Sequence, residues 1–222
     1  MTVLIIGGSS GMGLALAEHL RADGTVVTVA SRSGTGGLQA DIGREDQVRD
    51  LMAAAAPFDH VVVTAVDATR SYAPLTSFEL RDAQAVIDTK LLGPWLVAKH
   101  ATPYLPPTGS LTFTSGVAAY RPTAGGSVAA AVNGALEALC RALAVELAPI
   151  RVNIVSPGWT DTSLWDTIAG DERADQLSAM AARLPAGRVG RPDDVADVFL
   201  MLIRNGFMTG TVVHADGGQR LV

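Results

Sequence analysis

Residues 2–20 read TVLIIGGSSGMGLALAEHL. The opening TVLIIG is β-branched or aliphatic at consecutive positions, as in a strand covered on both faces. Glycines then interrupt it, and the AxAEHL pattern resumes with helical periodicity. Strand, glycine loop and helix in that order form the context in which such glycines cradle a dinucleotide. Gly7, Gly11 and Gly13 allow a tight turn, close approach of backbone to a pyrophosphate, and close packing of the helix. Ser9, Ser10 and Met12 complete the loop, and the first amides of the helix attract phosphate.

The rest of the chain repeats the alternation. Strands are expected at 2–7, 25–30, 60–65, 110–115, 151–156 and 211–215, and helices at 11–22, 44–55, about 78–103, about 127–147 and 192–204. This predicts one α/β domain over residues 1–222, a Rossmann-like doubly wound parallel sheet with helices on both faces. SRSGTGGLQAD (31–41) leaves room only for a loop after the second strand, whereas a parallel crossover normally carries a helix. That helix is expected to be missing and the third strand, near Leu38–Asp41, vestigial. Residues 159–190, with TDTSLWDT and GDERADQ, are expected to form a lid of short mobile helices.

A chain of 222 residues with 48% apolar and 18% charged residues can bury a sizeable core. Its net charge of −5 and lack of a basic block argue against nucleic acid or an anionic membrane as partner. The apolar tracts are interrupted by charges before a span is reached, and the start lacks the form of a secretory signal, which points to the cytoplasm. Cys140, the single cysteine, sits in an Ala/Leu helical run and reads as a small core residue. The four histidines lack metal-ligand spacing, so no metal is expected.

The second strand ends in Ser31 and Arg32 rather than in the carboxylate that would bind the ribose hydroxyls of NAD. A guanidinium forms a charge-assisted fork to a 2′-phosphate, so NADP(H) is the expected cofactor. Trp159 and Trp165 would line the substrate side and favour an apolar or aromatic small molecule.

The chain resembles the short-chain dehydrogenase/reductase family over essentially its whole length. GGSSGMG resembles the family's TGxxxGxG, with Ile6 in place of Thr. Asp41-Ile42 resembles the acidic-apolar pair at the adenine. RVNIVSPGWTDT (151–162) resembles RVNxxxPGxxxT, which implies Pro157, Gly158, Thr160 and Thr162 near nicotinamide and pyrophosphate. MTGTVVHADGG (208–218) resembles the closing strand and DGG turn. VTAV (63–66) stands where the family has NNAG, and the resemblance sets Ala65 against the cofactor.

The family's catalytic groups are a Ser after the fifth strand, the Tyr and Lys of YxxxK, and an Asn on the preceding helix. They perform general acid catalysis beside a positioned hydride. Ser115, in TFTSGVAAY, matches the Ser. Thirteen residues on, Val128 stands for the Tyr, and four further Val132 for the Lys; neither can donate a proton or bind a diol. Lys90, in DTKLLG, occupies the Asn position and is expected to reach the nicotinamide ribose and Ser115. Tyr120 is a candidate acid; Ser127 reads as a helix N-cap and Asn133 as a helix or interface residue.

The expected function is an NADP(H)-dependent oxidoreductase moving hydride between nicotinamide and a carbonyl or alcohol with non-standard groups. The alternatives are a non-redox enzyme of the same fold (a cyclase, epimerase or dehydratase) or an inactive dinucleotide-binding scaffold. The family and the Ala-rich helices imply a homodimer or homotetramer through the helices at 78–103 and 127–147.

Overall fold

Strand β1 (Thr2–Ile6) lies inside a seven-stranded sheet with β2 (Val26–Ser31), β3 (Leu38–Gln39), β4 (His60–Val63), β5 (Ser110–Thr114), β6 (Arg151–Pro157) and β7 (Val212–Ala215). The computed structural model describes residues 1–66 and 70–222. The strand order is β3-β2-β1-β4-β5-β6-β7, and every neighbouring pair is parallel. The expected doubly wound sheet is therefore present.

The consecutive apolar residues of the strands serve two cores. Leu4, Ile6, Val61 and Val63 face one layer, with α2 (Glu45–Ala55), α4 (Gly93–Ala101) and α5 (Ser127–Glu146). Val3, Ile5 and Val62 face the other, with α1 (Gly11–Ala22) and α8 (Pro192–Arg204). Alternation of side chains along each strand requires this division. Helix α5 alone among the described helices is long and apolar enough to cross a membrane, contrary to the reading that charges interrupt every such tract. Its Leu136, Cys140 and Leu143 are instead committed to the first core. Cys140 is fully buried, and that burial pushes its thiol pKa up to about 12, so it is inert packing.

No helix joins β2 to β3, as expected. Gly34 and Gly36 turn the chain at φ +72° and +74°, a region open to glycine, and β3 pairs through only two residues. The expected helix at 78–103 is divided. It runs as α3 (Leu80–Ile87), a π turn over Asp88–Leu92, and α4. Pro94 explains the break: it has no N–H to give the Lys90 carbonyl, and its ring would collide with that carbonyl in a regular helix. The Gly93 amide reaches back to the Asp88 carbonyl instead. Ser127 is also corrected: Gly126 is the N-cap of α5, and Ser127 is the first residue inside the helix and makes no capping bond.

Residues 159–190, expected to form a lid, hold two helices, α6 (Leu164–Ile168) and α7 (Arg173–Arg183). Arg173 ties them down through Asp161 at 2.5 Å and Asp166 at 2.6 Å.

Candidate functional site

The strand order reverses direction between β1 and β4, and ligands of such sheets bind outside the carboxyl ends of the strands at that point. Two cavities open there, of about 430 and 390 Å³. They share Met12, Thr64, Val66, Thr162 and Leu164 as walls.

The first cavity is the glycine loop's. Gly7 has φ +94°, and a Cβ there would stand 2.6 Å from Thr64 Oγ1; one on Gly13 would stand 2.4 Å from the Gly7 carbonyl oxygen. Both positions therefore admit only glycine without a shift of the loop against β4. The Ser10 side chain makes no capping bond to α1, so it leaves the first amides of the helix for an anion. Gly11, Met12 and Ser9 complete the cradle, and Ser31, Arg32, Asp41, Ile42 and Ala65 line its far side. The Asp41 carboxylate is held in its own turn by the Gly43 amide at 2.9 Å, while Ile42 is buried. The residues fit a dinucleotide: a glycine loop held against Thr64 too closely for a Cβ at Gly7 or Gly13, and a guanidinium at the tip of β2.

The second cavity carries Lys90, Ser115, Gly116, Ala129, Val132, Asn133, the two tryptophans and Tyr72. Pro157, Gly158 and Thr160 belong to this wall as well, and Thr162 touches both cavities. Trp159 and Trp165 have ring centroids 4.2 Å apart, and the Trp165 indole donates to the Thr160 carbonyl at 2.9 Å. An apolar roof is thus fixed over the cleft. Tyr72 was not singled out from the sequence; its phenol pKa is raised by burial.

Lys90 is 8% exposed and projects from the π turn, and its Nζ donates to the Ser115 carbonyl at 3.3 Å. It lines the second cavity and not the first. Burial lowers its pKa to about 8.

The Ser115 hydroxyl donates to Glu137 Oε1 at 2.9 Å, and the Tyr120 phenol donates to Glu137 Oε2 at 2.5 Å. Glu137 is 5% exposed and was not anticipated. The sequence does contain a signal for it, since Glu137 falls on the apolar stripe of α5 with Val132, Leu136 and Cys140. Tyr120 does not line either cavity; it stacks edge-on against His214 at 4.7 Å. Burial, then the Glu137 carboxylate, pushes its pKa up to about 12, which leaves it a weak acid.

Gly116 adjoins Ser115 in the cavity wall, and a Cβ there would lie 3.2 Å from Asn133 Nδ2. Thirteen residues from Gly116 is Ala129, and four further is Asn133; both line the cavity, whereas Val128 does not. Val132 lines it too, one helical turn from Ala129. Asn133 is 7% exposed and its Oδ1 has no hydrogen-bond partner among the described residues.

A family model described as enoyl-(acyl carrier protein) reductase matches residues 7–220. The short-chain dehydrogenase/reductase ATR9 of Stachybotrys chlorohalonatus is 36% identical across 99% of this chain and 97% of the relative. A crystal structure of a small-chain dehydrogenase in complex with NADPH superposes with a TM-score of 0.92 at 39% identity, covering 100% of this chain and 99% of that one. The structure of a reductase/Diels-Alderase from Malbranchea aurantiaca gives 0.90 at 32% identity, covering 99% and 96%. Glycine loop, strand order, full-length match and superposition agree: the chain belongs to the short-chain dehydrogenase/reductase family of oxidoreductases.

Proposed function

We propose that this chain is an NADP(H)-dependent oxidoreductase acting on an apolar or aromatic carbonyl or alcohol, with Lys90 in place of the missing acid. The observation that carries this reading is the junction of the two cavities: a glycine cradle with Arg32 at one end opens into a tryptophan-roofed cleft that holds a buried amine. The neighbour crystallised with NADPH supports the cofactor half. The dinucleotide supplies the hydride when bound.

This chain's own residues supply orientation and the proton. Trp159 and Trp165 exclude water and hold a flat apolar substrate against the cleft floor. Lys90 Nζ, anchored by the Ser115 carbonyl, carries the one ammonium among the described cavity residues that lies on this side and gives its proton to the reacting oxygen. A pKa near 8 suits that task at neutral pH, since proton donors work best close to the ambient value. The unpaired Asn133 Oδ1 is a buried acceptor ready for a hydroxyl.

A panel of aromatic aldehydes, ketones and alcohols tests the reading by stoichiometry. NADPH loss equal to alcohol formed is the expected result. Product formed with no change in cofactor redox state would replace it with a non-redox reaction, which the side-chain-poor Gly116 and Ala129 favour.

We also infer assembly as a dimer or tetramer across the helices after β4 and β5. Ile87, Leu92, Trp95 and Val145 are exposed there, with Val145 at 81%. Sedimentation as a monomer at micromolar concentration would contradict it.

A further inference from the structure

The chain has 17 basic residues, and only two, Lys90 and Lys99, are lysines. They sit in opposite environments. Lys99 is exposed on α4, 2.6 Å from the Glu45 carboxylate and 5.5 Å from the centre of the Trp95 ring, so it is an ion-paired surface cation. Lys90 is buried in the wall of the second cavity, and its amine meets a backbone carbonyl rather than a carboxylate. Among the described residues no acid lies within ion-pair reach of it.

In that position the ammonium is largely desolvated and has no carboxylate partner among the described residues, which raises the share of neutral amine with its free electron pair above that of an ordinary lysine. A desolvated lysine in an apolar pocket is one of the standard ways an amine becomes a nucleophile. The π turn contributes to this placement, because such insertions re-aim side chains and recur at functional sites.

We propose that Lys90 condenses with an aldehyde or ketone entering the second cavity to form an imine, a covalent non-redox activity of the same cleft. The Nζ electron pair forms a bond to the carbonyl carbon as the carbonyl π pair moves to oxygen. Oxygen takes up a proton and nitrogen releases one, giving a carbinolamine. Nitrogen then forms the C=N bond as water leaves, and hydrolysis reverses the sequence. One amine and one carbonyl give one imine and one water, so no oxidant or reductant is consumed. The protonated imine draws electrons from the adjacent carbon, whose C–H proton can pass to water, so the substrate class is carbonyl compounds activated for isomerisation or condensation. Reduction of the imine would leave a secondary amine fixed to Lys90 and end turnover. The activity therefore belongs to the chain without reduced cofactor. It goes beyond the hydride-transfer reading and does not require it.

The test uses the full chain without dinucleotide, benzaldehyde or propanal as probe, and cyanoborohydride to fix any imine. Intact mass and peptide mapping then locate the adduct. With only Lys90, Lys99 and the N-terminal amine available, the assignment is direct. At pH 7 an amine with a pKa near 8 is neutral in a roughly three-hundredfold larger fraction of molecules than an ordinary lysine. The expected result is a single adduct at Lys90, formed about tenfold faster than any at Lys99, absent in Lys90→Met and retained in Lys99→Met. Labelling confined to Lys99 and the N-terminus overturns the proposal, as does a rate at Lys90 no faster in the native chain than in urea. Titration of NADPH into the same preparation separates the readings. Capture lost with NADPH still bound sinks only the amine, and capture retained with no NADPH binding sinks only the hydride transfer.

Discussion

The two ends of the cleft make opposite use of small residues. At the cofactor end the glycines are required: added methyl groups at Gly7 and Gly13 would overlap Thr64 and the Gly7 carbonyl. At the end lined by Trp159 and Trp165, Gly116 and Ala129 are small, and the space they leave is part of a largely apolar cavity. Geometry fixes the first set, because binding a dinucleotide needs backbone shape. At Gly116 the neighbour a Cβ would meet is the Asn133 side chain at 3.2 Å, which can move as backbone cannot, so groups of the second set can be exchanged while the fold stands. The buried charge there, Lys90, comes from the neighbouring helix.

The largest effect that sharpens this contrast is on stability. Lys90 titrates near 10.5 in the unfolded chain and near 8 when folded, so between those values the unfolded state binds more protons and stability rises with pH. Below pH 8 the full cost of the buried ammonium applies, about 3 kcal/mol. Lys90→Met is therefore expected to be more stable than the parent at pH 7 by up to that amount, with the gap closing from pH 8 to 10.5. Denaturant unfolding across this range checks it; a gap independent of pH would place the ammonium in water.

The next effect concerns Glu137. Glu137→Ala strands the buried Ser115 hydroxyl and frees the Tyr120 phenol, with an expected loss of roughly 2 kcal/mol. Urea midpoints for the parent and variant measure it, and an unchanged midpoint would mean that Glu137 does not brace the loop after β5. The smallest effect is at the cofactor end. Arg32→Ala is expected to weaken NADPH about tenfold, some 1.4 kcal/mol, and to leave NADH unchanged. Equal losses for both cofactors would show that Arg32 does not read the 2′-phosphate.

The fold was legible because period and spacing are enforced by packing. Both-face burial makes the strands continuously apolar, and six residues between β2 and β3 cannot hold a helix. The division of the helix around Asp88–Leu92 was harder to see, although Pro94 marks it. The catalytic end suffered from the twofold period of strands. Ser115 and Gly116 are neighbours just past β5, and a step of one in extended chain turns the Ser115 hydroxyl to Glu137 and a Gly116 Cβ to Asn133. The same step carries the count from Val128 to Ala129. Glu137 was overlooked because a carboxylate on a core stripe is recognised only once its hydroxyl partners, remote in sequence, are brought to it.

The central claim is that cofactor binding and chemistry have separated into an intact cradle and a displaced amine. One NADPH titration, followed by fluorescence on the parent, Gly13→Ala and Lys90→Met, tests it most directly. The account predicts that Gly13→Ala loses roughly a hundredfold in affinity, near 2.7 kcal/mol, because the loop must shift off β4. It predicts that Lys90→Met binds within about threefold of the parent, since Lys90 lines only the second cavity. If Lys90→Met loses NADPH as severely as Gly13→Ala, the amine belongs to the cofactor site and the claim fails.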